Sequence, residues 1–121
     1  MRIRREIVVF DTADLERESS FWAALMGGEA RGDGDDWRTV YVDGEPRLGF
    51  QSAPTHEPPA WPDGPQQQLH LDLYVDDIRE AHDHALSVGA TLLRAADDLD
   101  ADEGFQVYGD PSGHPFCLCW G

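Results

Sequence analysis

The chain contains no lysine; its nine basic side chains, among 121 residues, are all arginines. That excludes lysine-borne Schiff bases and amine nucleophiles. No apolar run approaches membrane-spanning length, so no membrane partner is expected. Met1-Arg2-Ile3-Arg4-Arg5 is basic, but the apolar stretch behind it, Ile7 to Phe10, is too short for the core of a signal peptide. A cytoplasmic protein is expected. Positive charge is scarce against 24 acidic residues, and the formal net charge is −15. Phosphate backbones would be repelled, so nucleic acid is not an expected partner, whereas a cationic ligand would be attracted. The same acidity also serves solubility alone. Only two cysteines occur, Cys117 and Cys119, flanking one residue. On a strand both would point the same way, and a bond between them would close a very tight ring, so reduced thiols are expected. There is no glycine-rich phosphate cradle, and Ser112 lacks the context of a nucleophile elbow.

What is present suits one domain with a single modest core; 40% of the residues are apolar. Ile7 to Phe10 reads as a short buried strand. Asp14 follows as a helix N-cap, with Leu15, Phe21, Trp22, Leu25 and Met26 on one helical face and Gly27-Gly28 as the stop. A strand between Glu29 and Asp36 is only weakly signalled. Trp37 to Val42 alternates as a strand, Asp43-Gly44 turns a hairpin, and Arg47 to Gln51 returns. Ser52 to Pro65 holds five prolines and no periodicity, and reads as a crossing loop. The order then repeats. Leu69 to Val75 alternates, with Leu69, Leu71, Leu73 and Val75 on one face and His70, Asp72 and Tyr74 on the other. Asp77 and Glu80 form a capping box for a helix with Ile78, Ala81, Ala85 and Val88 on one face, and Gly89 ends it. Ala90 to Arg94 is the next strand, Asp97 to Glu103 a solvated acidic loop. Phe105 to Tyr108 and Pro115 to Trp120 form a last hairpin around Gly109-Asp110-Pro111-Ser112-Gly113.

The predicted fold class is therefore α+β. Two βαβββ modules, about 1–53 and 67–121 with a connecting loop at 54–66, make one domain whose mixed sheet curls around a cleft. The stretches His70-Leu71-Asp72-Leu73-Tyr74-Val75-Asp76-Asp77-Ile78, Val88-Gly89-Ala90-Thr91 and Asp110-Pro111-Ser112-Gly113-His114-Pro115-Phe116 resemble the vicinal-oxygen-chelate superfamily, in particular its glyoxalase-like, bleomycin-resistance-like branch. Phe21-Trp22-Ala23-Ala24-Leu25-Met26-Gly27 is similar to the first helix of that family. The resemblance implies a cleft lined by the inner faces of both half-sheets and pairing into homodimers. It also implies metal ligands, in the metal-dependent members, from the first and last strand of each half. Those positions land on Ile7, Leu48, His70 and Cys117. Only His70 is a good first-row ligand; Cys117 would suit a soft metal, and Ile7 and Leu48 can bind nothing. No cofactor is expected, with a divalent metal as the open alternative. Glu45 and Gln51 lie near Leu48 and would supply a ligand if the register shifts.

The expected ligand-binding residues are Trp37, Tyr41, Leu48, Phe50, Gln51, Trp61, His70, Asp72, Tyr108, Cys117 and Cys119. Aromatic walls with a few polar groups are what a small-molecule pocket needs, and Phe50 shares the parity of Leu48. Trp61, inside the proline-rich loop, is either a lid over that pocket or a plug within it. His70 is the candidate catalytic residue, as acid/base or ligand hydrogen-bonder; the alternative is a histidine satisfied by its neighbours. His114 lies an odd number of residues from Cys117 and should point to the opposite face, which leaves the thiols as small buried side chains. His82 and His84 read as solvated. The leading function is metal-independent binding of a small apolar, aromatic or cationic molecule. The rivals are a lyase or isomerase acting on a small carbonyl compound through His70, and a partner-binding module with no small ligand.

Overall fold

The computed structural model describes residues 1–64 and 69–121. The end of the connecting loop and the predicted start of the second module, residues 65–68, lie outside the described residues. The chain forms two compact units, Met1–His56 and Glu57–Gly121. Each is a four-stranded mixed sheet with one helix, so the α+β class and the repeated βαβββ order both hold.

In the first unit β1 (Val8–Thr12) leads into α1 (Leu15–Met26), followed by β2 (Glu29–Arg31), β3 (Trp37–Val42) and β4 (Glu45–Ser52). The sheet order is β1-β4-β3-β2, with β1 parallel to β4 and the other pairs antiparallel. Asp14 caps α1 by accepting the Arg17 N–H, and Gly27 ends it in the left-handed region at φ 69°. A side chain there would be strained, which is why glycine stands at the stop. Asp43 and Gly44, at φ 52° and 80°, make the tight turn between β3 and β4. Both central residues in that region suit the right-handed twist of the flanking strands.

The second unit runs β5 (Leu71–Tyr74), α2 (Ile78–Val88), β6 (Thr91–Arg94), β7 (Gly104–Gly109) and β8 (Pro115–Trp120), in the order β5-β8-β7-β6. Again the first and last strands are parallel, and the rest antiparallel. Asp77 accepts from both Arg79 and Glu80 N–H groups, satisfying two of the helix's orphan donors. β5 is shorter than its alternation suggests: Leu69 is 82% exposed and precedes the strand.

One face of each sheet carries the helix, and aromatic contacts identify it. In the first unit Trp22 of α1 meets Phe10 at 5.2 Å between centroids, and Phe10 meets Phe50 at 5.6 Å, both edge-on. Phe50, and with it Leu48 and Phe10, therefore faces α1. In the second unit Tyr108 reaches His82 of α2 and stacks on Phe116 at 5.6 Å, so Tyr108 and Phe116 face α2. Four expectations are corrected by this. Leu48, Phe50 and Tyr108 are 4%, 0% and 0% exposed and belong to helix–sheet cores, not to an open binding face. His82 is likewise no solvated surface residue: its Nδ1 lies 2.8 Å from the Tyr108 hydroxyl.

Candidate functional site

The alternation that sends Phe116 and Leu118 toward α2 sends Cys117 and Cys119 to the opposite, helix-free face. β5 runs parallel beside β8 with Asp72 opposite Cys117 and Tyr74 opposite Cys119, so these four side chains share that face. β7 adds Phe105, opposite Cys119, and Val107, opposite Cys117. The result is a groove of about 590 Å³ whose walls include His70, Asp72, Tyr74, Phe105, Cys117 and Cys119, with Glu103 and Trp120 at its end. Tyr74 and Phe105 are 73% and 52% exposed, so two aromatic surfaces stand open beside two carboxylates. No arginine is among the described residues that line it.

Asp72 is the hub of the polar groups. Its Oδ1 lies 3.1 Å from His70 Nε2, and Cys117 stands opposite it on the paired strand. His70 and Asp72 side chains are about half exposed, while Cys117 is buried. Burial first, and then the negative charge of Asp72, pushes the Cys117 thiol up to about 12. The same two causes raise Cys119. Both are neutral thiols at neutral pH, the opposite of an activated nucleophile. A raised thiol contributes stability below the ordinary thiol range that is lost as pH climbs toward 12. Alkylation of the native protein by iodoacetamide at pH 8 is accordingly expected to be much slower than in denaturant and to accelerate with pH. Native thiols that react as fast as unfolded ones would contradict the assignment.

Trp61 packs against Val107, Cys117 and Cys119. That contact lies within the second unit and sets the indole beside the thiols. His114 turns to Asp110, with Nδ1 2.8 Å from Oδ2, while Asp110 Oδ1 accepts the Ser112 and His114 N–H groups. This histidine braces the turn before β8 and does not serve the cysteines.

The remaining expected residues lie in the first unit. Trp37 sits over Gly49, where an added Cβ would come within 2.5 Å of its ring, and its Nε1 donates to Thr39. Gln51 donates to Asp11 at 3.0 Å, and Tyr41 carries the Arg31 guanidinium 4.4 Å from its ring centroid. Trp37, Gln51 and Gly49 occupy the face opposite Phe50. Their polar groups are engaged locally.

The metal set implied by the family pattern does not fit these residues. Ile7 and Leu48 offer no donor atom, and Leu48 is turned into the core beside α1. The rescue by Gln51 is also met by its bond to Asp11. What the second unit does bring together is His70, Asp72 and Cys117, whose donor atoms all lie within 4.8 Å of one another. Sequence reasoning placed these three on one face but did not single them out as a cluster. The signal available was the parity of His70 and Asp72 combined with the parallel pairing of β5 and β8.

Comparison with solved structures places the fold. The genomically encoded fosfomycin resistance protein FosX from Listeria monocytogenes superposes with a TM-score of 0.74 at 11% identity, covering 100% of this chain and 95% of that one. FosX from Mesorhizobium loti gives 0.72 at 13% identity, with 100% and 94% coverage. A glyoxalase/bleomycin resistance protein/dioxygenase family enzyme from Burkholderia phytofirmans PsJN gives 0.69 at 17%, with 94% and 95% coverage. At such identities the likeness is one of fold. No curated protein matches the chain by sequence. The sequence model of the glyoxalase-like domain matches residues 7–119, and the chain belongs to that family, within the vicinal-oxygen-chelate superfamily.

Proposed function

We propose that the protein binds a small organic molecule carrying an aromatic or apolar body and a positive charge, and that it does so without the hard divalent metal of the family's metal-dependent members. The observation that carries this reading is the groove on the helix-free face of the second unit. It offers the open rings of Tyr74 and Phe105 and the carboxylates of Asp72, beside His70, and Glu103, with no arginine among the described residues that line it. An aromatic face attracts a cation through its quadrupole, and a carboxylate beside it adds directional charge. The net charge of −15 favours the encounter of a cation with the whole molecule. Neutral thiols on the floor provide an apolar surface in place of a reactive one. Assembly as a homodimer and a cytoplasmic location belong to the same proposal.

The test is calorimetry in the presence of EDTA, titrating a panel of aryl amidines and arylammonium compounds beside their uncharged isosteres. Charged members are expected to bind and neutral ones to bind more weakly. Asp72→Asn is expected to cut affinity for the charged members by roughly three- to tenfold, the scale of a partly solvated ion pair with an aromatic contact. Equal binding of charged and neutral members, or no binding by any, would remove this reading.

A further inference from the structure

We infer that Trp61 is a third aromatic wall of the groove, and that the head group selected there is a fully methylated, quaternary ammonium in preference to a primary ammonium. This rests on the cation reading above and narrows its ligand class. The basis is the layout of the helix-free face of the second unit, row by row across its strands.

Strand pairing fixes the rows. Tyr74, Cys119 and Phe105 stand side by side on β5, β8 and β7, and Asp72, Cys117 and Val107 form the row beside them. The two thiols are therefore a central floor. Tyr74 and Phe105, 73% and 52% exposed, flank it in the first row. In the second row Asp72 flanks it on one side and Val107 on the other. Trp61, partly buried, packs against the cluster of Val107, Cys117 and Cys119. It adds a ring to the row in which β7 itself offers only an aliphatic side chain opposite Asp72. The segment that carries it is held within the same unit. Gly64 N–H donates to the Ala60 carbonyl at 2.6 Å, and Pro58 lies so close to Gly113 that an added Cβ there would come within 2.6 Å of it. Neighbouring strands are ~4.8 Å apart, so Tyr74 and Phe105 stand roughly 10 Å apart across Cys119. A cation above that thiol is within the ~6 Å at which a ring attracts it, from both sides at once.

The choice of head group follows from how little the floor can accept. A primary ammonium brings three N–H donors that need partners once water is stripped from them. Neutral thiols are weak acceptors, Asp72 Oδ1 is already 3.1 Å from His70 Nε2, and Glu103 stands at the groove's end. A quaternary head brings no donor. Its methyl groups bury apolar surface on the thiols and present a spread positive charge to the rings, with the carboxylates as counter-charge.

The experiment is calorimetry on the full chain in EDTA at neutral pH, comparing benzyltrimethylammonium with benzylammonium. The quaternary compound is expected to bind at least about fivefold more tightly. Trp61→Leu keeps apolar bulk and removes the ring. It is expected to weaken the quaternary compound by about five- to tenfold and benzylammonium by less than about twofold, while Trp61→Phe keeps most of the preference. A second readout needs no loss of the ring. In the chain labelled with 5-fluorotryptophan, the fluorine resonance missing from Trp61→Phe is expected to shift on saturation with the quaternary compound, and that of the buried Trp22 to stay in place. This readout carries the test if circular dichroism shows that Trp61→Leu does not fold. Equal affinities, or tighter binding of benzylammonium, would overturn the inference and leave the cation reading standing. No binding by either compound would remove both. A quaternary preference that survives Trp61→Leu, or a Trp61 resonance that does not move at saturation, would show that the indole is no part of the site.

Discussion

Trp22→Ala is expected to destabilise the first unit by about 3–5 kcal/mol, against at most about 1–2 kcal/mol for Trp37→Ala. The two tryptophans have the same volume and differ in what surrounds them. Trp22 is 0% exposed and joins a run of edge-on rings: Phe21 at 5.4 Å, Phe10 at 5.2 Å, and Phe50 at 5.6 Å beyond Phe10. These contacts tie α1 to β1 and β4. Truncation removes the transfer energy of the indole and leaves a cavity that three fixed rings cannot fill. Trp37 is 40% exposed and covers Gly49, so its loss uncovers a strand without opening a void. Net stabilities of small domains are about 5–15 kcal/mol, so the first change removes a large share and the second a small one. Urea titrations followed by far-ultraviolet circular dichroism separate them. Equal shifts in midpoint for the two variants would mean that the ring cluster is not the core of this unit.

Much of this architecture was legible because it depends on local chemistry. Asp14 and Asp77 cap helices through their own side chains, Gly27 and Gly89 end them in the left-handed region, and Asp43-Gly44 turns the first hairpin. Each of these is decided within four residues. The repeat of the two modules follows from those signals falling in the same order twice.

The facing of the inner strands was less legible, for a physical reason. In β4 the run Leu48-Gly49-Phe50 is buried throughout, so alternation in burial does not say which side is which. Aligning Leu48 to a family ligand position chose the wrong side. Gly49 was the available clue: only a residue without a Cβ lets Trp37 lie against the strand, which marks the Gly49 side as the one facing away from α1. His82 was misread because its partners lie far along the chain. Yet it stands four residues after Ile78 and three before Ala85, the two buried positions of α2, and so shares their face. The groove residues fared better. The parity of Cys117 and Cys119 needs only that β8 be a strand, and His70, although it precedes β5, still meets Asp72 on one side. That the two strands pair parallel, with Asp72 against Cys117, is a long-range fact that periodicity does not carry.

The same long-range pairing makes the Tyr108 network a sharp test. Tyr108→Phe combined with His82→Ala is expected to cost roughly 3 kcal/mol, about 1 kcal/mol more than the sum of the single changes. Gln106 sets the direction of every bond. Its Oε1 accepts the Ala96 N–H at 3.0 Å, which turns the amide so that Nε2 donates to the Tyr108 hydroxyl at 2.7 Å. The hydroxyl, an acceptor there, gives its own proton to His82 Nδ1 at 2.8 Å, which places the ring N–H on Nε2. Nε2 of Gln106 also lies 3.3 Å from His82 Nδ1. With Tyr108→Phe alone, Gln106 therefore keeps an acceptor in His82, and with His82→Ala alone it keeps the hydroxyl. Only the double variant strands the amide, in a residue that is 3% exposed, and a stranded buried donor costs about 1–3 kcal/mol by itself. Neighbouring changes that merely share a contact would give a double variant cheaper than the sum. A cycle measured by urea denaturation that comes out additive or cheaper would show that the Gln106 amide finds water and that this network orders nothing.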